Sequence, residues 1–98
     1  MTHPDVKGIC FVGTTGVGKH IYGIAAANGK RVQAQTEAKN HALVLEDAAL
    51  ERTARGIINS AFGCAGERCM ALPVVVAQES IADKLVELLI KYAGELKV

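Results

Sequence analysis

The stretch Gly13–His20, GTTGVGKH, decides how the chain is read. Four apolar residues, Ile9–Val12 (ICFV), precede it, and good helix formers run from Val17 to Ala27. Apolar run, glycine-rich turn and helix together spell strand, turn and helix, the first half of a β-α-β unit. Two chemistries share that outline. A phosphate-binding loop has the pattern G-x-x-x-x-G-K-[ST], which Gly13, Gly18 and Lys19 fit. His20 does not fit, because that position needs a hydroxyl to ligate Mg²⁺, a hard cation that takes oxygen. The glycine-rich turn of another nucleotide-binding enzyme fits equally, with phosphate at the helix N-terminus. A third reading is a tight strand–helix turn that binds nothing.

Beyond that stretch, Asn28-Gly29 is a helix stop signal. Arg31–Thr36 alternates loosely and is expected as a second strand, and His41–Leu45 (HALVL) as a third. Asp47 is placed to cap the next helix. There Leu50, Ala54, Ile57, Ile58 and Ala61 form one apolar stripe that ends near Phe62-Gly63. Leu72–Ala77 (LPVVVA) is a fourth strand, with Pro73 at its start or edge. Ser80 and Asp83 resemble a capping box for the last helix. Its stripe is Ile81, Leu85, Leu88, Leu89, Tyr92 and Leu96. The order β-α-β-β-α-β-α predicts an α/β fold with a mostly parallel small sheet and right-handed crossovers. The chain begins on a strand and ends on a helix with an uncovered outer face, as a piece of a larger α/β protein would.

With 98 residues the chain suits one small domain with a modest core. Aromatics make up only 4%, so Val, Ile, Leu and Ala must fill that core. A net charge of +1 with no basic stripe gives no sign of a nucleic-acid partner. No apolar run is long enough to span a membrane, and MTHPDVKG is no secretion signal. Three irregularly spaced cysteines argue against a disulfide framework and fit a reducing, cytoplasmic setting. No metal site is expected. His3, His20 and His41 are scattered, and Cys64 and Cys69 lack a second ligand pair.

The second informative stretch is Gly63–Ala71, GCAGERCMA. Gly63 and Gly66 let backbone pass close to a ligand or another segment. Cys69 lies between a helix and a strand, where α/β folds place reactive groups. A thiol becomes a good nucleophile once ionised, and a neighbouring cation such as Arg68 favours the thiolate. Against this stands the ordinary reading of a lone cysteine as a small buried hydrophobe. Cys10 and Cys64 are expected to be that.

Taken together, FVGTTGVGKHIY, GKRVQAQTEAKNHALVLEDA and FGCAGERCMALPVVV resemble the aldehyde dehydrogenase superfamily. The nearest branch is the CoA-acylating methylmalonate-semialdehyde dehydrogenases, through KRVQA, AKNH and AGERCMA. The resemblance covers the chain from His3 onward. It implies an NAD cofactor, with Gly13 and Thr14 near the phosphates and Val17 toward the adenine side. Lys19 and His20 become outward-facing helix residues. It also implies that Cys69 attacks the aldehyde carbonyl, that its backbone N–H helps hold the oxyanion, and that CoA takes the acyl group. A contact of Arg68 with the substrate carboxylate is compatible with it.

The resemblance further implies that residues 1–36 end an NAD-binding domain and residues 37–98 begin a catalytic domain. In so short a chain the two are expected to form one compact unit. Hydrolytic members carry a general-base Glu at the position of Gln35, and the family usually has Gly at Glu37. In a strand, residues 35 and 37 face one side, so Glu37 either stands in as a base or disturbs the site, unless it faces solvent. The family chain is several times longer, so parts of the cofactor site, the oxyanion hole and the oligomerisation segment are missing here. Two alternatives stay open: a non-catalytic α/β protein held together by self-association as a homo-oligomer, and a P-loop nucleotide-binding module.

Overall fold

The computed structural model describes residues 1–97. By its internal contacts the chain divides into two compact units, Met1–Ala38 and a second from Lys39 onward. Each is a strand–helix–strand unit with a parallel pair of strands. The strands therefore make two two-stranded sheets, where the sequence pattern suggested one.

In the first unit, β1 (Gly8–Val12) pairs with β2 (Arg31–Gln35), Ile9 opposite Val32 and Phe11 opposite Ala34. α1 (Thr15–Ala27) crosses between them. Burial alternates along both strands, with Ile9, Phe11, Val32 and Ala34 turned to the covered side. The expectation of a buried β1 is corrected here, because a single helix covers only one face. Cys10 sits on the open face and is exposed rather than a core residue. Gly18 lies where α1 meets β2, and a Cβ there would come within 2.5 Å of Thr36 Cγ2. The helix ends as Asn28-Gly29 predicts. Gly29 is left-handed (φ 66°), its N–H reaches the Ala26 carbonyl, and the Lys30 N–H reaches the Ala25 carbonyl. That is a Schellman closure, and glycine adopts its left-handed residue without a Cβ penalty.

In the second unit, β3 (His41–Val44) pairs with β4 (Val74–Ala77), and Pro73 stands one residue before β4. α2 (Leu50–Phe62) and α3 (Glu79–Gly94) pack together. Their stripes build the core: Ala54, Ile57 and Ile58 meet Ile81, Leu85 and Tyr92 beneath Val44. Leu85 is only 2% exposed. Tyr92 fills the helix pair with its ring and donates its hydroxyl to Glu51, while the Arg55 guanidinium lies 4.1 Å from the ring centroid. Leu96 lies past the end of α3 and is 45% exposed, outside the expected stripe. Neither expected side-chain cap forms. The N-cap of α2 is Ala49, two residues beyond Asp47, because a turn closed by Ala48 N–H to Leu45 O delays the helix. α3 starts after Gln78, which puts Ser80 inside its first turn rather than at the cap. Gln78 instead accepts the Glu46 N–H through its side chain. No described helix is long and apolar enough to cross a membrane.

Two glycines on α1 separate packing from propensity. Gly18→Ala overlaps the stiff, β-branched Thr36 and is expected to destabilise the first unit by about 1–3 kcal/mol. Gly23→Ala meets nothing within 4 Å and is expected to stabilise it by about 0.5–1 kcal/mol. In the second unit Leu85→Ala is expected to lose about 2–5 kcal/mol. Urea titrations of the three variants, followed by amide NMR for each unit, check the signs and magnitudes.

Candidate functional site

The chemistry-bearing residues fall in two places, one in each unit. In the first unit the place is the turn from β1 into α1. β1 ends at Val12, and the Gly13 N–H donates to the Gln35 carbonyl at 3.1 Å, extending the sheet into the turn. A Cβ on Gly13 would meet the Phe11 ring at 2.6 Å, so only glycine folds back over that ring. Thr14 is the N-cap, extended at φ −68° and ψ 150°, and its side chain caps nothing. α1 therefore starts at Thr15. Residues 15–19 are helical, and the Gly18 N–H already bonds the Thr14 carbonyl at 2.9 Å. A phosphate-binding loop needs those N–H groups splayed around an anion, so the P-loop reading is overturned. Lys19 and His20 are exposed on the helix, as outward-facing residues should be.

The first turn of any helix has N–H groups without intrahelical acceptors. Here these belong to Thr15, Gly16 and Val17. The space about Gly16 is open, with nothing within 4 Å of an added Cβ. Val17 is 48% exposed. The Gly16 and Val17 amides and the Thr14 hydroxyl are the donors that this end could offer to a phosphate group. The Thr15 donors are already engaged. Glu37 Oε2 accepts the Thr15 N–H at 3.2 Å and the Thr15 hydroxyl at 2.5 Å. The Thr15 hydroxyl first, and then its N–H, holds the Glu37 carboxyl below its ordinary value of 4.5. β2 stops at Gln35, so the strand alternation that would put residues 35 and 37 on one side ends before Glu37.

In the second unit the place is the segment between α2 and β4. Cys64, Ala65 and Gly66 are successive left-handed residues, with φ of 53°, 55° and 75°. Two of the three are not glycine, which costs of order 1–3 kcal/mol each. Gly66 has no room for a side chain, since a Cβ would lie 2.9 Å from the Ala61 carbonyl. The Arg68 guanidinium lies over Gly63 and donates through Nε to Cys64 Sγ at 3.3 Å. Cys64 is exposed in this turn, not the buried hydrophobe expected of it.

A β-turn then follows, closed by Ala71 N–H to Arg68 O at 3.0 Å. Cys69 is its second residue and carries a free, exposed thiol. Among the described residues no backbone carbonyl accepts the Cys69 N–H. The turn is pinned from β3's side. Asn40 Nδ2 donates to the carbonyls of Cys69, at 2.8 Å, and Ala71, at 2.9 Å. Both partners are acceptors, so the amide must present its nitrogen. Ser60 Oγ adds a longer bond to the Met70 carbonyl at 3.4 Å. Sequence reading assigned no task to Asn40 or Ser60. The available signal was an asparagine next to a strand, where its amide can bond irregular backbone.

This geometry presents a thiol at a turn corner with its own N–H available beside it, a pairing suited to attack on a carbonyl. The sequence matches the aldehyde dehydrogenase family over residues 1–98. It is 60% identical to malonate-semialdehyde dehydrogenase 2 of Geobacillus kaustophilus over all 98 residues, which are 20% of that protein's length. The methylmalonate-semialdehyde dehydrogenase of Oceanimonas doudoroffii superposes with a TM-score of 0.92 at 44% identity, over 98% of this chain and 20% of that one. The betaine aldehyde dehydrogenase of Staphylococcus aureus in complex with NAD⁺ gives 0.88 at 30% identity, over 97% and 19%.

Two measurements test the local geometry. The Glu37 carboxyl is expected to titrate below 4.5, and Thr15→Ala is expected to move it up by removing the hydroxyl donor. Its contribution to stability is present above the unfolded value and is lost as pH falls through the depressed folded value. A carboxyl-detected NMR titration reads both. Asn40→Leu leaves two carbonyls without donors and is expected to cost about 1–3 kcal/mol in the second unit, measured by urea unfolding.

Proposed function

The chain belongs to the aldehyde dehydrogenase family, and we propose that it supplies the nucleophile and part of the cofactor site of an NAD-dependent, CoA-acylating semialdehyde dehydrogenase. It spans 20% of the length of the relative with which it shares most identity above. The complete reaction therefore belongs to a longer assembly of residues. The observation that carries the reading is Cys69: an exposed thiol on a turn pinned by Asn40, with its N–H unengaged among the described residues.

The Cys69 thiolate adds to the aldehyde carbon, and the carbonyl oxygen becomes an oxyanion. The N–H of Cys69 faces that charge, a contribution worth about 10²–10³ in rate for one such donor. Bound NAD⁺ supplies the acceptor for the aldehyde hydride. Loss of the hydride leaves a thioester on Cys69, and a CoA thiolate then takes the acyl group and returns the Cys69 thiolate. By the family resemblance, Gln35 takes the position at which hydrolytic members carry a base. An amide cannot take a proton from water at neutral pH, which favours thiol over water as the acceptor. The names of the relatives support malonate or methylmalonate semialdehyde as substrate. With methylmalonate semialdehyde, CO₂ leaves before the transfer to CoA. Gly13, Thr14 and Val17 take the cofactor side in the first unit. Arg68 is turned toward Gly63 and Cys64 here, so a task at the substrate carboxylate requires it to swing away.

A second reading, self-association without catalysis, is favoured by apolar side chains left open. Leu43 is 75% exposed, Ile90 69% and Phe62 53%. Two-stranded sheets also leave strand edges unpaired.

The test places this sequence in the matching fifth of the Geobacillus relative and follows NADH formation with malonate semialdehyde. Turnover is expected to require CoA, and Cys69→Ala is expected to lower it by at least about a thousandfold. Turnover that survives Cys69→Ala would sink the reading. Light scattering of the 98-residue chain decides on self-association.

A further inference from the structure

Glu37 is an anion already seated where an anion would bind. We propose that its carboxylate is a built-in competitor for the phosphate-binding end of α1, so that this chain holds a dinucleotide more weakly than the same chain with a neutral residue at 37. The proposal rests on the cofactor reading above.

Three observations carry it. First, both hydrogen-bond donors of Thr15 go to a single oxygen of Glu37, Oε2. A phosphate approaching the first turn finds one of its three amides occupied. Second, delivery of Glu37 is built into the sheet. The Gly13 N–H holds the Gln35 carbonyl at 3.1 Å, which fixes the end of β2 beside the start of the turn. Two residues later the chain reaches Thr15. Third, the charge is not neutralised by a neighbour. Among the described residues the sole ion pair is His3 with Asp5. A phosphate at Gly16 and Val17 therefore meets a negative charge one residue away, at a helix end that otherwise attracts anions.

Glu37 is exposed, so water can take it up when a ligand displaces it. It acts as a competitor rather than a plug. Its effect is electrostatic and weakens with salt.

The experiment uses the 98-residue chain and its Glu37→Gln and Glu37→Ala variants. NAD⁺ and adenosine are titrated against each, followed by the Thr15, Gly16 and Val17 amide signals. Gln keeps the size and an acceptor for Thr15, so it is the variant that best preserves the turn. Should Glu37→Ala lose its dispersed amide spectrum, Glu37→Gln carries the comparison. NAD⁺ is expected to bind the variants about two- to fivefold more tightly than the parent, the effect of one exposed charge at a helix end. That gain is expected to shrink at high salt. Adenosine, which has no phosphate, is expected to bind all chains alike. Equal NAD⁺ affinity across the three chains overturns the proposal and leaves the cofactor reading in place. A gain for adenosine as large as that for NAD⁺ also overturns it, since the effect would then not concern phosphate. No NAD⁺ binding by any chain overturns both.

Discussion

Parallel pairing is the constraint from which the rest follows. Two parallel strands cannot be joined by a tight turn, so each unit must carry the chain back from the end of one strand to the start of the next. In the first unit α1 does this between β1 and β2; in the second, α2 and the cysteine segment do it between β3 and β4. The same constraint fixes where exposed donors appear. A helix that begins where a strand ends presents its unsatisfied N–H groups beside that strand's carboxyl edge. The amides of Thr15, Gly16 and Val17 are there because β1 ends at Val12 and α1 starts three residues later.

In each unit one polar side chain governs how the irregular backbone is satisfied, and the two act with opposite sign. Asn40 brings donors to a turn that has surplus carbonyls, those of Cys69 and Ala71. Glu37 brings an acceptor to a turn that has surplus amides. The Asn40 contact leaves the Cys69 N–H out of the bonding and the thiol at the surface. It also holds a segment that has strain to store, because Cys64 and Ala65 are left-handed without being glycine. Such backbone persists only where its surroundings over-determine it. Here they include the Ala61 carbonyl against Gly66, the Arg68 guanidinium over Gly63, and the Asn40 amide beyond.

The helices and the strands were legible because their signals are periodic. The stripe Ala54, Ile57, Ile58 and the stripe Ile81, Leu85, Tyr92 are the ones that close the core. Asn28-Gly29 was legible because left-handed closure has a chemical signature. Cys69 was legible as a candidate through its glycine-flanked segment and its resemblance to known motifs. Caps were not. Asp47 and Ser80 have the right chemistry, but a turn at Leu45–Ala48 and a Gln78 cap shift each helix start by two residues. Burial of Cys64 was misjudged because it sits in an exposed left-handed turn, and burial of Cys10 for a reason of layers. Composition says how apolar a strand is, but not whether a second layer covers its other face, and in the first unit only one helix is present.

The glycine pattern GTTGVGK shows why spacing alone misleads. The pattern fixes which residues lack side chains, but not where the helix begins. A phosphate-binding loop requires the backbone of the central residues to stay open, so that several N–H groups converge on one anion. In this chain the Gly13 N–H is drawn into the sheet by Gln35, and helix geometry starts at Thr15. Gly18 then lies inside the helix, where its missing side chain makes room for Thr36. Gly13 and Gly18 thus serve close packing, one folding back over the Phe11 ring and the other against Thr36, while Lys19 faces outward. What stays open there is the helix end itself, where the Glu37 carboxylate already holds both donors of Thr15.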